Sequence, residues 1–194
     1  MRIARCRLGP GLVLAFALAL LASKPTGAAD ELLTDPGFES PAGSDWTRFS
    51  SRADDQRIAT ETDPVKSGRQ SLKLTVQETA GSYQGVFQSL PVTPGKTYRF
   101  RAWVREAPAS PRSGTGRGQI SLEWKSDADT ELRRDWGPDW GAATALADWT
   151  RFELTGSAPD GATRAHVVIT QFAGDQPAAG AAFLVDDASV TIIP

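Results

Sequence analysis

The sequence predicts an all-β fold, a two-sheet antiparallel β-sandwich. Segments that alternate polar and apolar residues recur along most of the chain, and turn-forming residues separate them. After residue 29 no stretch carries the spacing of an amphipathic helix. Many short strands divided by regular turns pack most simply as two stacked antiparallel sheets.

The first 29 residues stand apart from this pattern. Arg2, Arg5 and Arg7 precede an apolar run, Leu12–Ala22, and Thr26-Gly-Ala-Ala29 supplies small residues for cleavage. This is the make-up of a signal peptide, cut after Ala28 or Ala29. The run is too short to cross a bilayer comfortably. The expected product is a secreted protein, extracellular or periplasmic, with residues 30–194 as one domain. Those residues hold 17 of the 21 Lys and Arg and all 23 acids, a net charge of −6. A mildly acidic, mixed surface argues against nucleic acid and anionic membrane as general partners. The single cysteine, Cys6, falls in the signal, so no disulfide or thiolate metal site is expected beyond it.

Alternation is sharpest over Thr97–Arg105. Tyr98, Phe100, Ala102 and Val104 form one face; Arg99, Arg101, Trp103 and Arg105 form the other. Gln70–Gln77 sets Leu72, Leu74 and Val76 against Ser71, Lys73 and Thr75. Further strands are expected at Trp46–Ser51, Tyr83–Leu90, Gly118–Lys125, Asp148–Leu154, Arg164–Thr170 and Ala182–Ile193. Turn residues at Asp35-Pro-Gly, Ser67-Gly, Pro94-Gly, Pro159-Asp-Gly and Gly174-Asp divide them. One helical turn is expected near Ala142–Ala147. Pro108–Gly118 reads as a Gly/Pro/Ser-rich loop. Ser126–Ala145 reads as a long connection whose Trp136 and Trp140 point to function. The string Asp-Trp-Thr-Arg-Phe occurs at Asp45–Phe49 and again at Asp148–Phe152 with no repeat around it. It reads as two similar sheet environments selecting the same residues, with Trp and Phe on opposite faces.

Four segments in order resemble the cellulose- and xylan-binding modules of carbohydrate-binding families four, nine and twenty-two. They are Asp35-Pro-Gly-Phe-Glu-Ser40 followed by Trp46; Val65–Leu74; Tyr83–Gln88 through Pro94–Val104; and Val185-Asp-Asp-Ala-Ser-Val190. The resemblance implies a jelly-roll of the galactose-binding-like type, with the two ends of the domain meeting. It also implies a structural calcium near those ends. Glu39 and Asp186 match the carboxylate positions, and carbonyls near Gly37 and Lys66 are the further ligands. Asp186 shares parity with Ala188, Val190 and Ile192, so it is expected to face inward, where a carboxylate needs a partner or an ion. The alternative is a hydrogen-bonded Asp without metal.

A module of this type binds polysaccharide in a groove on its concave sheet. Aromatic faces stack on sugar rings, and planar polar side chains reach the hydroxyl rim. The residues expected there are Tyr83, Gln88, Arg101, Trp103, Trp136, Trp140 and Gln171. Trp46, Trp124 and Trp149 read as packing, and His166 as either a groove residue or a bystander. Arg101 stands where the family commonly has a small residue. Its arginine-rich strand therefore raises an acidic glycan, such as a uronic-acid polymer, against neutral cellulose or xylan.

Two other functional classes stay open. One is a small glycoside hydrolase or lyase using Glu123 with Asp127 or Asp129. The other is an adhesion module that binds protein. The lone histidine and the lack of nucleophile or zinc motifs argue against triads and histidine-based zinc sites. The expected function is non-catalytic carbohydrate binding, with a separate carbohydrate-active enzyme as a potential partner.

Overall fold

A computed structural model describes residues 30–40, 45–141, 143–178 and 180–194. The expected signal, residues 1–29, lies outside the described residues, as does Ala142. Ten strands follow in order: β1 (Thr47–Ser50), β2 (Ile58–Glu61), β3 (Ser71–Thr75), β4 (Tyr83–Pro91), β5 (Thr97–Glu106), β6 (Arg117–Lys125), β7 (Glu131–Trp140), β8 (Thr150–Ser157), β9 (Arg164–Phe172) and β10 (Ala182–Ile193). They form two five-stranded sheets. The front sheet runs β1-β4-β9-β6-β7 and the back sheet β2-β3-β10-β5-β8. Every strand pairing is antiparallel.

The two sheets share one core, built by the predicted alternation. Tyr98, Phe100, Ala102 and Val104 enter it from β5, and Ile120, Leu122 and Trp124 from β6. Phe183 and Val185 come from β10, and Val167 and Ile169 from β9. The Trp140 ring packs 4.8 Å from Phe152 and 6.3 Å from Phe183, bridging the sheets. The two ends of the domain do meet. Leu32 N–H donates to the Val190 carbonyl, Ala188 N–H to that of Pro36, and the Glu31 carboxylate accepts Val190 N–H.

The connection expected over Ser126–Ala145 contains β7. Pro138 is tolerated within it because β7 is an edge strand, pairing only with β6. A bulge does the rest: Ser121 pairs with Trp136 but Gln119 pairs with Asp139. Gly137 and Pro138 thus oppose the single residue Ile120, and the parity of β7 flips between its two tryptophans. Trp136 faces out, whereas Trp140 turns into the core. No helix forms over 143–147; the one helical piece among the described residues is a 3-10 turn at Ala53–Asp55.

Trp140 fits because Gly118, opposite it on β6, leaves room; a Cβ there would overlap the indole. Gly118→Ala is therefore expected to destabilise the protein by about 1–3 kcal/mol through overpacking. Thermal or urea unfolding of the variant measures this, and wild-type stability would refute the packing argument.

Candidate functional site

The outer face of the front sheet carries a cleft of about 510 Å³. Its floor follows from register. Across the strands, Ser89, His166, Glu123 and Arg134 form one row, and Phe87, Val168, Ser121 and Trp136 the next. Phe49 lies opposite Gly85, and Tyr83 opposite Phe172. Gly85 is needed there, since a Cβ would meet the Phe49 ring and the Ile169 carbonyl.

The rings form a continuous arc. Phe87 stacks on His166 at 4.5 Å and 27°, and Phe49 joins Phe87 (6.3 Å) to Tyr83 (6.4 Å). Phe172 then joins Tyr83 (6.4 Å) to Trp136 (6.5 Å). Tyr83 and Trp136 are 44% and 48% exposed, among the few large apolar side chains that reach solvent so fully. Guanidinium groups cover part of the arc, Arg117 at 4.3 Å over Phe172 and Arg134 at 5.0 Å over Trp136. Such a surface offers flat apolar faces beside hydrogen-bonding groups, the pairing that a sugar ring requires.

The polar row has its own electrostatics. Burial pushes the Glu123 carboxyl above its ordinary range, against the pull of Arg134 at 2.9 Å. Burial also lowers the His166 pKa below 6.5, and the nearby Lys125 ammonium lowers it further. His166 Nδ1 lies 4.0 Å from Glu123 and Nε2 3.9 Å from Asp129.

Of the seven residues expected to bind sugar, the structure brings Tyr83 and Trp136 together in this cleft. It places the other five elsewhere. Trp140 is core. Gln88 points inward and clamps Thr34, accepting its N–H at 3.0 Å and donating to its carbonyl at 2.5 Å. Gln171 is buried on the same inward side of β9 as Ile169 and donates to the Phe172 carbonyl. Arg101 and Trp103 lie on β5, in the back sheet, so the arginine-rich strand and the cleft occupy different sheets. Phe49, Phe87, Phe172, Arg134 and Glu123 escaped the sequence reading of the sugar site. Parity could have found two of them: Phe87 alternates with Tyr83 on one strand, and Phe172 with His166 on another.

The residues assigned to calcium converge at the seam of the chain ends. Asp186 accepts N–H groups from Lys66 (2.8 Å), Ser67 (3.3 Å) and Asp187 (2.7 Å). Glu39 accepts from Arg69 (2.7 Å) and Gln70 (3.3 Å). A Cβ on Gly37 would stand 3.6 Å from Glu39 and 3.9 Å from Asp186. Asp186 is fully buried, but not in the core as parity predicts. It opposes Trp103, so it shares the outer face of the back sheet, and the turn at Lys66–Ser67 covers it. The register then slips between Asp186 and Ser189, which returns Ala188 and Val190 to the core. Among the described residues, three of the four non-glycine positions with positive φ, Asp35, Phe38 and Asp187, lie at this corner. Burial raises the Asp186 pKa to about 6, against the backbone N–H groups of Lys66, Asp187 and Ser67. Among the described residues no group of three or more His, Cys, Asp or Glu side chains could hold a metal.

A family model described as a carbohydrate binding domain matches residues 30–175. The chain belongs to this carbohydrate-binding family. Its fold is also that of solved carbohydrate-binding modules. The CBM22-1 xylan-binding domain from Paenibacillus barcinonensis Xyn10C is 18% identical with a TM-score of 0.59, over 86% of this chain and 96% of that one. TmCBM61, solved with β-1,4-galactotriose, is 15% identical with a TM-score of 0.58, over 85% and 100%. The enzymatically active domain of tailspike protein 4 from bacteriophage CBA120 is 16% identical with a TM-score of 0.63, over 84% of this chain; the chain spans only 21% of it. No curated protein matches the chain.

His166 is the only histidine, so its ring resonances report the cleft directly. An NMR titration is expected to give a midpoint below 6.5, and Lys125→Met is expected to raise it by removing a repelling charge. An unchanged midpoint in the variant would dismiss the Lys125 contribution.

Proposed function

We propose that this protein is a secreted, non-catalytic module that binds polysaccharide in the front-sheet cleft. The arc of rings running from His166 through Phe87, Phe49, Tyr83 and Phe172 to Trp136 carries the proposal. Sugar rings stack on it, and His166, Glu123 and Arg134 address their hydroxyls. The polymer is neutral, because the carboxylate and guanidinium beside the rings already pair with each other. Neighbours of the same fold, a xylan-binding domain and a galactotriose complex, support this choice. Glu123 is the one carboxylate among the described lining residues, and Arg134 holds it. Paired-carboxylate hydrolysis needs a second acid across the bond. The signal-like composition of residues 1–29 supports export.

Affinity electrophoresis against soluble xylan, β-1,4-galactan and cellulose derivatives tests the proposal. Tyr83→Ala and Trp136→Ala are each expected to weaken retention by about 1 kcal/mol or more, roughly fivefold in Kd. Retention that survives both changes together rejects the cleft as the binding site.

We also propose a structural calcium at the terminal seam, held by the carboxylates of Glu39 and Asp186 and by backbone carbonyls beside Gly37 and Lys66. The donors are all oxygen, as a hard cation requires. A fully buried acid with no cationic partner and three left-handed residues around it are the features a bound ion would reconcile. Without a cation, the raised pKa makes Asp186 most favourable to folding below its unfolded value near 3.8. That contribution is lost as the pH rises through about 6. Calcium must displace this proton, so its stabilisation is expected to be full above about pH 6 and to fade below it. Thermal melting with calcium or with chelator at pH 7.5 and pH 5 measures this. Equal melting temperatures at pH 7.5 would reject the site.

A further inference from the structure

The back sheet turns a second, differently charged surface to solvent, on the face away from the core. On β5 it carries Arg99, Arg101, Trp103 and Arg105. The register of β8 sets Arg151 opposite Trp103 and Glu153 opposite Arg101. Lys66 adds its ammonium, 4.5 Å above the Trp103 ring, so the indole here seats a cation. Five cations thus gather around Glu153 and the covered Asp186, in a domain whose net charge is −6.

These arginines differ from others in the molecule. Arg57 closes onto Asp55 and Glu78, Arg112 onto Glu106 and the carbonyls of Gly141 and Thr144, and Arg134 onto Glu123 and Glu131. On the back face only Arg101 is held in this way, by Glu153 at 2.6 Å. Among the described residues, the side chains of Arg99, Arg105 and Arg151 make no hydrogen bond or ion pair; the buried Nε–H groups of Arg99 and Arg105 find no acceptor. Their guanidinium groups are therefore not locked into direct ion pairs, although Arg99 and Arg151 act on the Glu153 carboxylate at longer range.

We propose that this face is a second binding site, for a carboxylated polysaccharide of the polyuronate class, independent of the neutral-glycan cleft on the front sheet. Side chains on one face of a strand repeat about every 6.8 Å, so Arg99 to Arg105 forms a straight cationic row about 20 Å long. A stiff linear polyanion suits such a row better than a compact anion does. Guanidinium forks pair bidentately with carboxylates, which favours a uronate over a point charge. The two sheets then hold two chemically different polymers, one by stacking and one by charge.

Affinity electrophoresis of the protein in gels containing polygalacturonate with chelator, or neutral xylan or β-1,4-galactan, tests the assignment. The wild type is expected to be retarded by polygalacturonate at low salt and released at high salt. The triple variant Arg99→Gln, Arg105→Gln, Arg151→Gln is expected to lose this retardation at least tenfold while melting like wild type. Its retention by any neutral polymer that binds the cleft should be unchanged. Trp136→Ala should show the converse, keeping polygalacturonate and losing the neutral polymer. Unretarded wild type, or a triple variant that binds polygalacturonate as wild type does, overturns the proposal. Equal retardation by dextran sulfate or single-stranded DNA overturns the choice of carboxylate. A triple variant that melts early is replaced by the single changes Arg99→Gln and Arg151→Gln, read in the same gels. No loss in either overturns the site.

Discussion

The two sheets hold together because each strand turns alternate side chains into one apolar layer between them, with Trp140, Phe152, Phe183 and Phe100 among its largest members. That burial fixes the register, since a slip of one residue would exchange the inner and outer faces of a strand. Once the inner set is committed, the outer set is committed too. The cleft is what remains on the front sheet, where Phe49, Phe87, Tyr83, Phe172 and Trp136 occupy outward positions. Leaving so many rings at the surface costs solvation, and a contiguous aromatic patch of this kind marks an interaction surface.

Polar groups finish what the apolar layer begins. Gln84 sits at an inward position of β4, accepts Arg57 N–H and donates to the carbonyl of Thr75 at the end of β3. It thereby ties a front-sheet strand to the back sheet. Gln77 reaches Ser50 and the Asp55 carbonyl, and Gln88 holds Thr34 from both sides. Buried amides are tolerated where backbone groups satisfy them. These clamps keep the edges of the sandwich from sliding, and so hold the rings of the cleft in a fixed arrangement.

Charge is divided between the two outer faces. In the front cleft Glu123 and Arg134 answer each other, so the rings dominate. On the back face arginines outnumber acids, and Glu153 is held below the usual carboxylate range chiefly by its hydrogen bond to Arg101, with Arg99 and Arg151 adding to it. Asp186 of the terminal seam lies on the same back face, opposite Trp103, which links the closure of the chain to the cationic surface.

Much of this was legible in the residues. Eight of the ten strands were expected at least in part, all but β2 and β7, and the ordered motifs resembled the family to which the chain belongs. Alternation failed where the backbone broke its own period. The bulge at Gly137-Pro138 sent Trp140 inward, and the slip after Asp186 moved that acid from the core to the back face. Sequence also could not say which strands share a sheet, so Tyr83 and Trp103 read as neighbours although they lie on opposite sheets.

The repeated string makes the division plain. At Asp45–Phe49 the Trp is buried and the Phe lines the cleft; at Asp148–Phe152 the Trp lies outside the core cluster and the Phe is buried within it. By itself the sequence determined that Trp and Phe take opposite faces, because alternation is a local property of extended backbone. Which face is the inside was decided only by tertiary structure, because it depends on the sheet a strand joins and the register in which it pairs.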